Sequence, residues 1–103
     1  MFRLSISPIE IEQFKQPLRD ERAGAYVAFE GRVRNVNDGT GVSSLEYEGY
    51  EAVAVKEGER ILNEAKAKFD IFDVQCVHRV GHLAIGDLAV WAGVIAGHRG
   101  EAF

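Results

Sequence analysis

One nine-residue segment, Leu88–Ala96 (LAVWAGVIA), limits what this chain can fold into because it carries no charged side chain. It is far too short to cross a bilayer, which takes about 20 residues as a helix. A short, continuous apolar run is typical of a buried strand, so we expect the most buried strand here, with Trp91 in the core. His98 and Arg99 follow within three residues, and neither side chain is cheap to bury without a partner.

The rest of the chain alternates between strand and helix patterns. Alternating apolar and polar residues predict strands, whereas apolar residues three and four positions apart predict helices. Two segments with turn residues, 35–41 and 81–87, are expected to be connections. Because the order lacks a regular strand–helix–strand rhythm, we expect one α+β domain over residues 1–103, with a mostly antiparallel sheet and two helices. The predicted strands are 2–6, 23–36, 42–50, 73–80 and 88–96, and the predicted helices follow Ser7 and cover 51–69.

Both predicted helices carry signals at particular residues. Ser7 as N-cap, Pro8 at the first helical position and Glu10 at the third form a start signature, and Pro17 shortens the end of this helix. In the longer helix, Gly58 costs about 1 kcal/mol relative to Ala unless close packing requires it. The residues expected to face the core there are Val53, Ile61, Leu62, Ala65 and Phe69, with Glu59 among those facing water.

Composition and charge exclude several classes of protein. Hydrophobic residues make up 47% of the chain and charged residues 27%, which is typical of a globular domain. The formal net charge of −4 argues against a general binder of nucleic acid or anionic membranes, which needs a basic surface. Cys76 is the only cysteine, so no internal disulfide forms. No signal-peptide pattern follows Met1, so the cytoplasm is the expected compartment.

Basic residues at the ends of predicted strands are the strongest candidates for a site. Arg32 and Arg34 share one face of a strand, Arg79 ends another, and His98 and Arg99 end a third. If these ends converge, they form a compact cationic pocket for a phosphate or a carboxylate. The imidazole of His98 adds a group that can donate a proton.

Other interpretations of these and nearby residues are more ordinary. In one of them, Arg32 and Arg34 form surface ion pairs with acidic residues of the neighbouring strand. Cys76, His78 and His82 offer too few ligands at suitable spacing for a closed zinc site, so no metal is expected. Cys76 lies among valines and is expected to be a small buried hydrophobe rather than a nucleophile. The acidic partners expected for the two arginines are Glu46 and Glu48.

Four motifs, in this order, resemble the large, catalytic subunit family of molybdopterin synthase. The resemblance covers the chain from Gly24 onward, and the residues before it contribute little. Each motif alone is weak, but four with suitable spacing are specific. They are GRVRN at 31–35, LEYEGY at 45–50, VHRVGHL at 77–83 with Gly86-Asp87, and Gly97-His98-Arg99 with Ala102-Phe103.

The resemblance implies an α/β-hammerhead type of fold and a homodimer, each protomer of which binds a small ubiquitin-like sulfur-carrier subunit to give a heterotetramer. It also implies that the carrier's thiocarboxylated C-terminal tail enters a pocket and passes sulfur to cyclic pyranopterin monophosphate, making molybdopterin. Arg34 and Arg99, with Arg32 beside them, are the expected phosphate or pterin anchors, and His98 is the expected catalytic group, which orients or transfers a proton. Such cations offset the repulsion between two anions. No cofactor, metal, nucleic acid or membrane is expected.

The chain departs from the family's pattern after the His-Arg motif. In the family, a helix and a segment with two lysines near the reaction centre follow that motif, whereas this sequence stops at Phe103. We therefore expect a C-terminal third to be missing, and loss of essential groups typically costs orders of magnitude in rate. The alternatives are a catalytically inactive module that dimerises or binds the carrier, and a small anion-binding domain. The lysines present, none in a matching context, are Lys15, Lys56, Lys66 and Lys68.

Overall fold

The computed structural model, which describes residues 1–34, 36–37, 40–41, 44–47 and 51–103, is an α+β fold with a mostly antiparallel sheet. The predicted fold class is therefore confirmed. The strands are β1 (Phe2–Ser5), β2 (Ala25–Arg32), β3 (Val36–Asn37), β4 (Thr40–Gly41), β5 (Ser44–Tyr47), β6 (Ile71–Arg79), β7 (Gly81–Ala84) and β8 (Leu88–Ala96). The helices are α1 (Ile11–Lys15), α2 (Glu51–Lys68) and α3 (Arg99–Ala102).

The main sheet has the strand order β1–β6–β8–β2. Strand β8 lies between β6 and β2 and runs antiparallel to both, whereas β1 pairs with β6 in parallel. Burial alternates along most of β8, where Trp91 is 1% exposed and Ala96 fully buried. The prediction of a buried strand over 88–96, with Trp91 in the core, is confirmed.

Two short antiparallel ribbons replace parts of the predicted pattern. Strand β3 pairs with β4 inside the segment expected to be a connection, and β5 pairs with β7. The long strand predicted over 23–36 is wrong in extent, because β2 covers only Ala25–Arg32, and part of the 81–87 connection is a strand. β5 lies inside the strand predicted over 42–50, and the remaining residues of that prediction are outside the described residues. β2 ends at Arg32 because its partner β8 begins at Leu88, so the ladder has no further residues to pair with. The predicted turn residues Asp38-Gly39 lie outside the described residues.

The first helix begins later than its start signature predicts, and a third helix is present. α1 begins at Ile11 with Glu10 as its N-cap, and no side chain caps it. The Ser5 hydroxyl donates to the Ser7 carbonyl at 2.8 Å, a local bond that competes with helical capping before Pro8. The four-residue α3 follows β8 directly, where no helix was predicted.

The face that helix α2 turns to the sheet only partly matches the predicted one: Leu62 and Ala65 are half-buried, but the other predicted core residues are exposed. Val53, Ile61 and Phe69 are 68%, 52% and 51% exposed. Gly58 is instead the buried position, because a Cβ there would collide with the ring of Phe2. Close packing therefore explains the glycine. The prediction that Glu59 faces only water is also wrong, since its Oε1 accepts a hydrogen bond from the Phe2 amide at 2.6 Å.

The core has two parts. Leu18, Val77, Trp91 and Ile95 form the larger cluster, against which α1 packs Ile11 and Phe14. A smaller cluster of Val33, Leu83 and Ala89 lies where β2 ends and β8 begins. Among the described helices, none is long and apolar enough to span a membrane.

Candidate functional site

The predicted site residues lie in two groups at opposite ends of the β2–β8 ladder. Arg32 is in register with Leu88, where β8 begins, and Arg34 follows two residues later. His98 and Arg99 follow Ala96, which is in register with Ala25 at the other end. The eight steps from Leu88 to Ala96 separate these ends by about 26 Å at 3.3 Å per residue. Within one chain, the two groups are therefore not brought together.

The first group centres on Arg32 and Arg79. The Arg32 guanidinium donates to the carbonyl of Gly86 at 3.1 Å and to Glu30 Oε1 at 2.8 Å. Arg79 is only 15% exposed, and its Nη1 lies 3.2 Å from Asp87 Oδ2. Its Nε is buried and has no acceptor among the residues that the structure describes. Arg34 is exposed at the rim of this group. Three guanidinium groups thus lie at one end of an acidic protein.

The ion pairs expected between the two arginines of segment 32–34 and Glu46 or Glu48 assumed that their strands are neighbours, and that strand pairing is wrong. β5 pairs with β7 rather than with β2, and its Glu46 is in register with His82. Arg32 instead pairs with Glu30, two residues earlier on its own strand and therefore on the same face. The other expected acidic partner, Glu48, lies outside the described residues. The Arg32–Glu30 pair is about half exposed on both sides, so it leaves the guanidinium open to a competing anion.

The second group lies where β8 passes into α3. His98 is the N-cap of α3 with extended backbone angles, and Arg99 is its first residue. α3 packs against β2 and β8 through the buried Ala102, which leaves His98 and Arg99 exposed. Both side chains are therefore available to a ligand or to another chain.

Sequence reasoning named Arg79 as a basic candidate but missed its carboxylate. Asp87 accepts hydrogen bonds from Arg79 and from the backbone amide of Ala84, the latter at 2.9 Å. Gly86, just before it, has a φ of +88°, which L side chains rarely adopt. The Gly86-Asp87 dipeptide is a turn signal in the sequence. The only sequence hint of the contact between Asp87 and Arg79 is that the two residues lie eight positions apart.

The weaker candidates are also located. Cys76 is half-buried, and burial raises the pKa of its thiol, which disfavours the reactive thiolate. The imidazole of His78 contacts the adjacent backbone, with Nδ1 2.8 Å from the Arg79 carbonyl oxygen. His82 is exposed on β7. No three potential metal ligands come together within the described ranges.

The fold and its basic residues define a class when compared with solved structures. The structure superposes on molybdopterin synthase from Staphylococcus aureus with a TM-score of 0.88 and 37% identity, over 96% of this chain and 72% of that one. It superposes on a MoaE protein from Burkholderia ambifaria with a TM-score of 0.83 and 30% identity, covering 99% and 67% of the two chains. A complex of subunits 1 and 2 of molybdopterin-converting factor from Helicobacter pylori shares the fold at 20% identity, with a TM-score of 0.74. This is an α+β chain of the molybdopterin synthase class.

Sequence comparison specifies the family. The chain matches the MoaE protein family over residues 4–103, and it belongs to that family. The molybdopterin synthase catalytic subunit of Pasteurella multocida is 42% identical over 95% of this chain and 72% of its own length. That of Ralstonia nicotianae is 44% identical over 78% of this chain but only 46% of its own. The resemblance in the four motifs is confirmed, and the chain spans roughly half to three quarters of the length of these two relatives.

Proposed function

We propose that this chain acts in the cytoplasm as the large subunit of a molybdopterin synthase, which transfers sulfur from the thiocarboxylated C-terminus of a small carrier subunit to cyclic pyranopterin monophosphate. Membership of the MoaE family supports the proposal, as do relatives described as molybdopterin synthase catalytic subunits. The observation that carries it is the set of exposed basic side chains at strand ends of a chain with net charge −4.

The site is assembled from two copies of the chain. Because about 26 Å separates the two basic groups along β8, no single ligand of pterin size contacts both within one chain. A homodimer with a two-fold axis brings Arg32 and Arg34 of one copy beside His98 and Arg99 of the other, twice. Such an arrangement makes each site incomplete in the monomer.

Each group has a role in this chemistry. Arg34 and Arg99, supported by Arg32, bind the phosphate and the pterin through charge-assisted hydrogen bonds. They also offset repulsion between the phosphate and the incoming thiocarboxylate and stabilise charge that develops at the attacked carbon. His98 orients the substrate or transfers a proton, for which its exposed imidazole is accessible.

The partner is a small ubiquitin-like sulfur carrier, so that two large and two small subunits form a heterotetramer. The Helicobacter pylori structure is a complex of two subunits of molybdopterin-converting factor, which supports a small-subunit partner for this fold. The carrier's tail enters beside the basic groups, where its negative charge is matched.

Mixing two variants with weakened substrate binding, at a pterin concentration too low to saturate either one, tests the shared site. Arg34→Ala and Arg99→Ala are each expected to weaken binding of the phosphorylated pterin by about 1.5–3 kcal/mol, the range for hydrogen bonds to charged groups. In a mixed dimer, one site carries both substitutions and the other carries neither, so random mixing restores about a quarter of wild-type activity. Molybdopterin formation from thiocarboxylated carrier and cyclic pyranopterin monophosphate is the measurement.

The outcomes separate the candidate functions. No recovery on mixing, despite confirmed exchange of subunits, contradicts a site shared between copies. His82→Ala is the control and is expected to keep full activity. Carrier binding without turnover by the unsubstituted chain indicates an inactive carrier-binding module. Binding of the phosphorylated pterin without any carrier binding leaves a small anion-binding domain.

A further inference from the structure

The turn between β7 and β8 contacts the segment 32–34, at the end of β2, which carries the proposed anchors Arg32 and Arg34. The amide of Val33 donates to the Asp87 carbonyl at 3.0 Å, and the amide of Gly86 donates to the Val33 carbonyl at 2.9 Å. Val33 is only 4% exposed and packs with Leu83 and Ala89. Both hydrogen-bonding groups of its backbone are thus fixed by the turn. Arg32 and Arg34 are its two neighbours in sequence, so the turn determines the backbone positions from which both arginine side chains extend.

The turn also contacts the Arg32 side chain directly. The register between β2 and β8 shifts between Gly31 and Arg32, because Gly31 is paired with Val90 and Arg32 with Leu88, which leaves one extra residue on β8. The Arg32 Nη1 then donates to the Gly86 carbonyl at 3.1 Å. Because a long, exposed guanidinium loses considerable rotational freedom when it binds a ligand, a carbonyl that already holds it lowers the entropic cost of binding.

One side-chain pair maintains the shape of the turn. Asp87 Oδ2 accepts from the Ala84 amide at 2.9 Å and from Arg79 Nη1 at 3.2 Å, while the Asp87 amide donates to the Ala84 carbonyl at 3.1 Å. Arg79 is largely buried at the end of β6, the strand next to β8. The carboxylate therefore ties the turn to the main sheet.

We propose that Asp87 and Arg79 are positioning residues, which hold the Ala84–Asp87 turn in the shape that aims Arg32 and Arg34 at the substrate phosphate. Neither residue contacts the substrate; each acts through the turn and Val33. Preorganised cations bind and stabilise charge better than mobile ones because they need no rearrangement when the ligand arrives. This inference rests on the proposed function, in which the two arginines bind the phosphorylated pterin.

Asp87→Ala is the first test, with Asp73→Ala as its matched control. Both aspartates are 37% exposed, and each accepts one backbone amide and lies near one cationic side chain, but Asp73 pairs with Lys66 away from this turn. For Asp87→Ala we expect the KM for cyclic pyranopterin monophosphate to rise roughly fivefold, because the arginines that bind its phosphate are no longer held in place. For Asp73→Ala we expect KM to stay unchanged. Simple loss of folded protein lowers apparent kcat and leaves KM alone, so an unchanged KM in Asp87→Ala overturns the inference.

A double-mutant cycle tests whether Asp87 affects pterin binding through Arg32 and Arg34. Direct binding of cyclic pyranopterin monophosphate is measured by calorimetry in the wild type and in Arg32→Ala/Arg34→Ala, each with and without Asp87→Ala. If Asp87 acts through the two arginines, its substitution weakens binding about fivefold in the wild type and less than twofold once they are gone. An equal effect in both backgrounds overturns the inference.

Two further results separate this inference from the proposed function. If Arg32→Ala/Arg34→Ala leaves pterin affinity unchanged, the arginines are not anchors and the proposed pocket fails. If it weakens affinity while Asp87→Ala does not, only the positioning role fails. Asp87→Asn keeps an oxygen for the Ala84 amide but removes the charge facing Arg79; we expect a KM increase of roughly two- to threefold. If Asp87→Ala does not fold, Asp87→Asn still tests the inference.

Discussion

At the scale of single residues, Gly58 sets the distance between a helix and the first strand. It lies inside α2, where glycine is unfavourable, and its missing side chain makes room for the ring of Phe2 on β1. Phe2 is itself held in place, because its amide donates to Glu59 on the same helix. The strand and the helix are therefore joined by a close contact and a hydrogen bond at adjacent helical positions.

Gly58→Ala is expected to destabilise the protein even though alanine is the better helix former. The new methyl group overlaps the Phe2 ring, and overpacking of this kind costs about 1–3 kcal/mol, which exceeds the gain of about 1 kcal/mol in helix propensity. Gly100→Ala in α3 is the control, because a Cβ there has open space; we expect no loss. The free energy of unfolding in urea distinguishes them, and equal stability of the two variants would contradict the packing argument.

A second prediction concerns the exposed pair of Asp20 and Arg22. The Arg22 side chain and backbone amide both donate to the Asp20 carboxylate, which lowers its pKa from 3.8 to about 2. A lowered folded-state pKa means that the charged carboxylate stabilises the fold above pH 4, and that this contribution disappears as the pH falls through 2. The stability deficit of Asp20→Asn should be constant near neutral pH and vanish in acid. A deficit that persists below pH 2 would show that the charge is not its cause.

At the scale of elements, how well a strand or helix could be predicted from the sequence depends on how many of its faces are buried. β8 was predicted with its observed bounds because one of its faces is buried and the other is partly buried, so that its sequence is almost uninterruptedly apolar. α2 was predicted in the correct place, but only Leu62 and Ala65 of its five predicted core residues are half-buried. Its sequence has apolar residues around much of its circumference, and the residue that decides the packing, Gly58, has no side chain for a pattern to register. Hydrophobic periodicity alone cannot find such a contact.

Two valine substitutions check the assigned faces. Val77 on β6 is fully buried in the main core cluster, whereas Val53 on α2 is 68% exposed despite being predicted as core. Val77→Ala removes two buried methylene equivalents and leaves a cavity, so we expect a loss of about 2 kcal/mol. Val53→Ala is expected to stay within about 0.5 kcal/mol of the wild type. A large loss for Val53→Ala in chemical denaturation would mean that this face is covered.

At the scale of the whole molecule, the candidate anchors were found by residue type and motif, but their arrangement was not. A sequence shows that Arg34 and Arg99 each follow a strand. It does not show that Arg32 and Ala96 lie at opposite ends of one antiparallel ladder, because that depends on which strands pair and in which direction. The Asp87–Arg79 link was missed for a similar reason: it joins residues whose proximity follows from β6 and β8 being neighbours.

The order in which the main sheet can close during synthesis follows from the place of β8. β2 and β6 are its two neighbours, and both precede it in the chain. On the ribosome, these two strands emerge with their inner edges unpaired until residues 88–96 leave the exit tunnel. Unpaired edges attract other chains, so the nascent protein is prone to aggregate in the interval before β8 arrives.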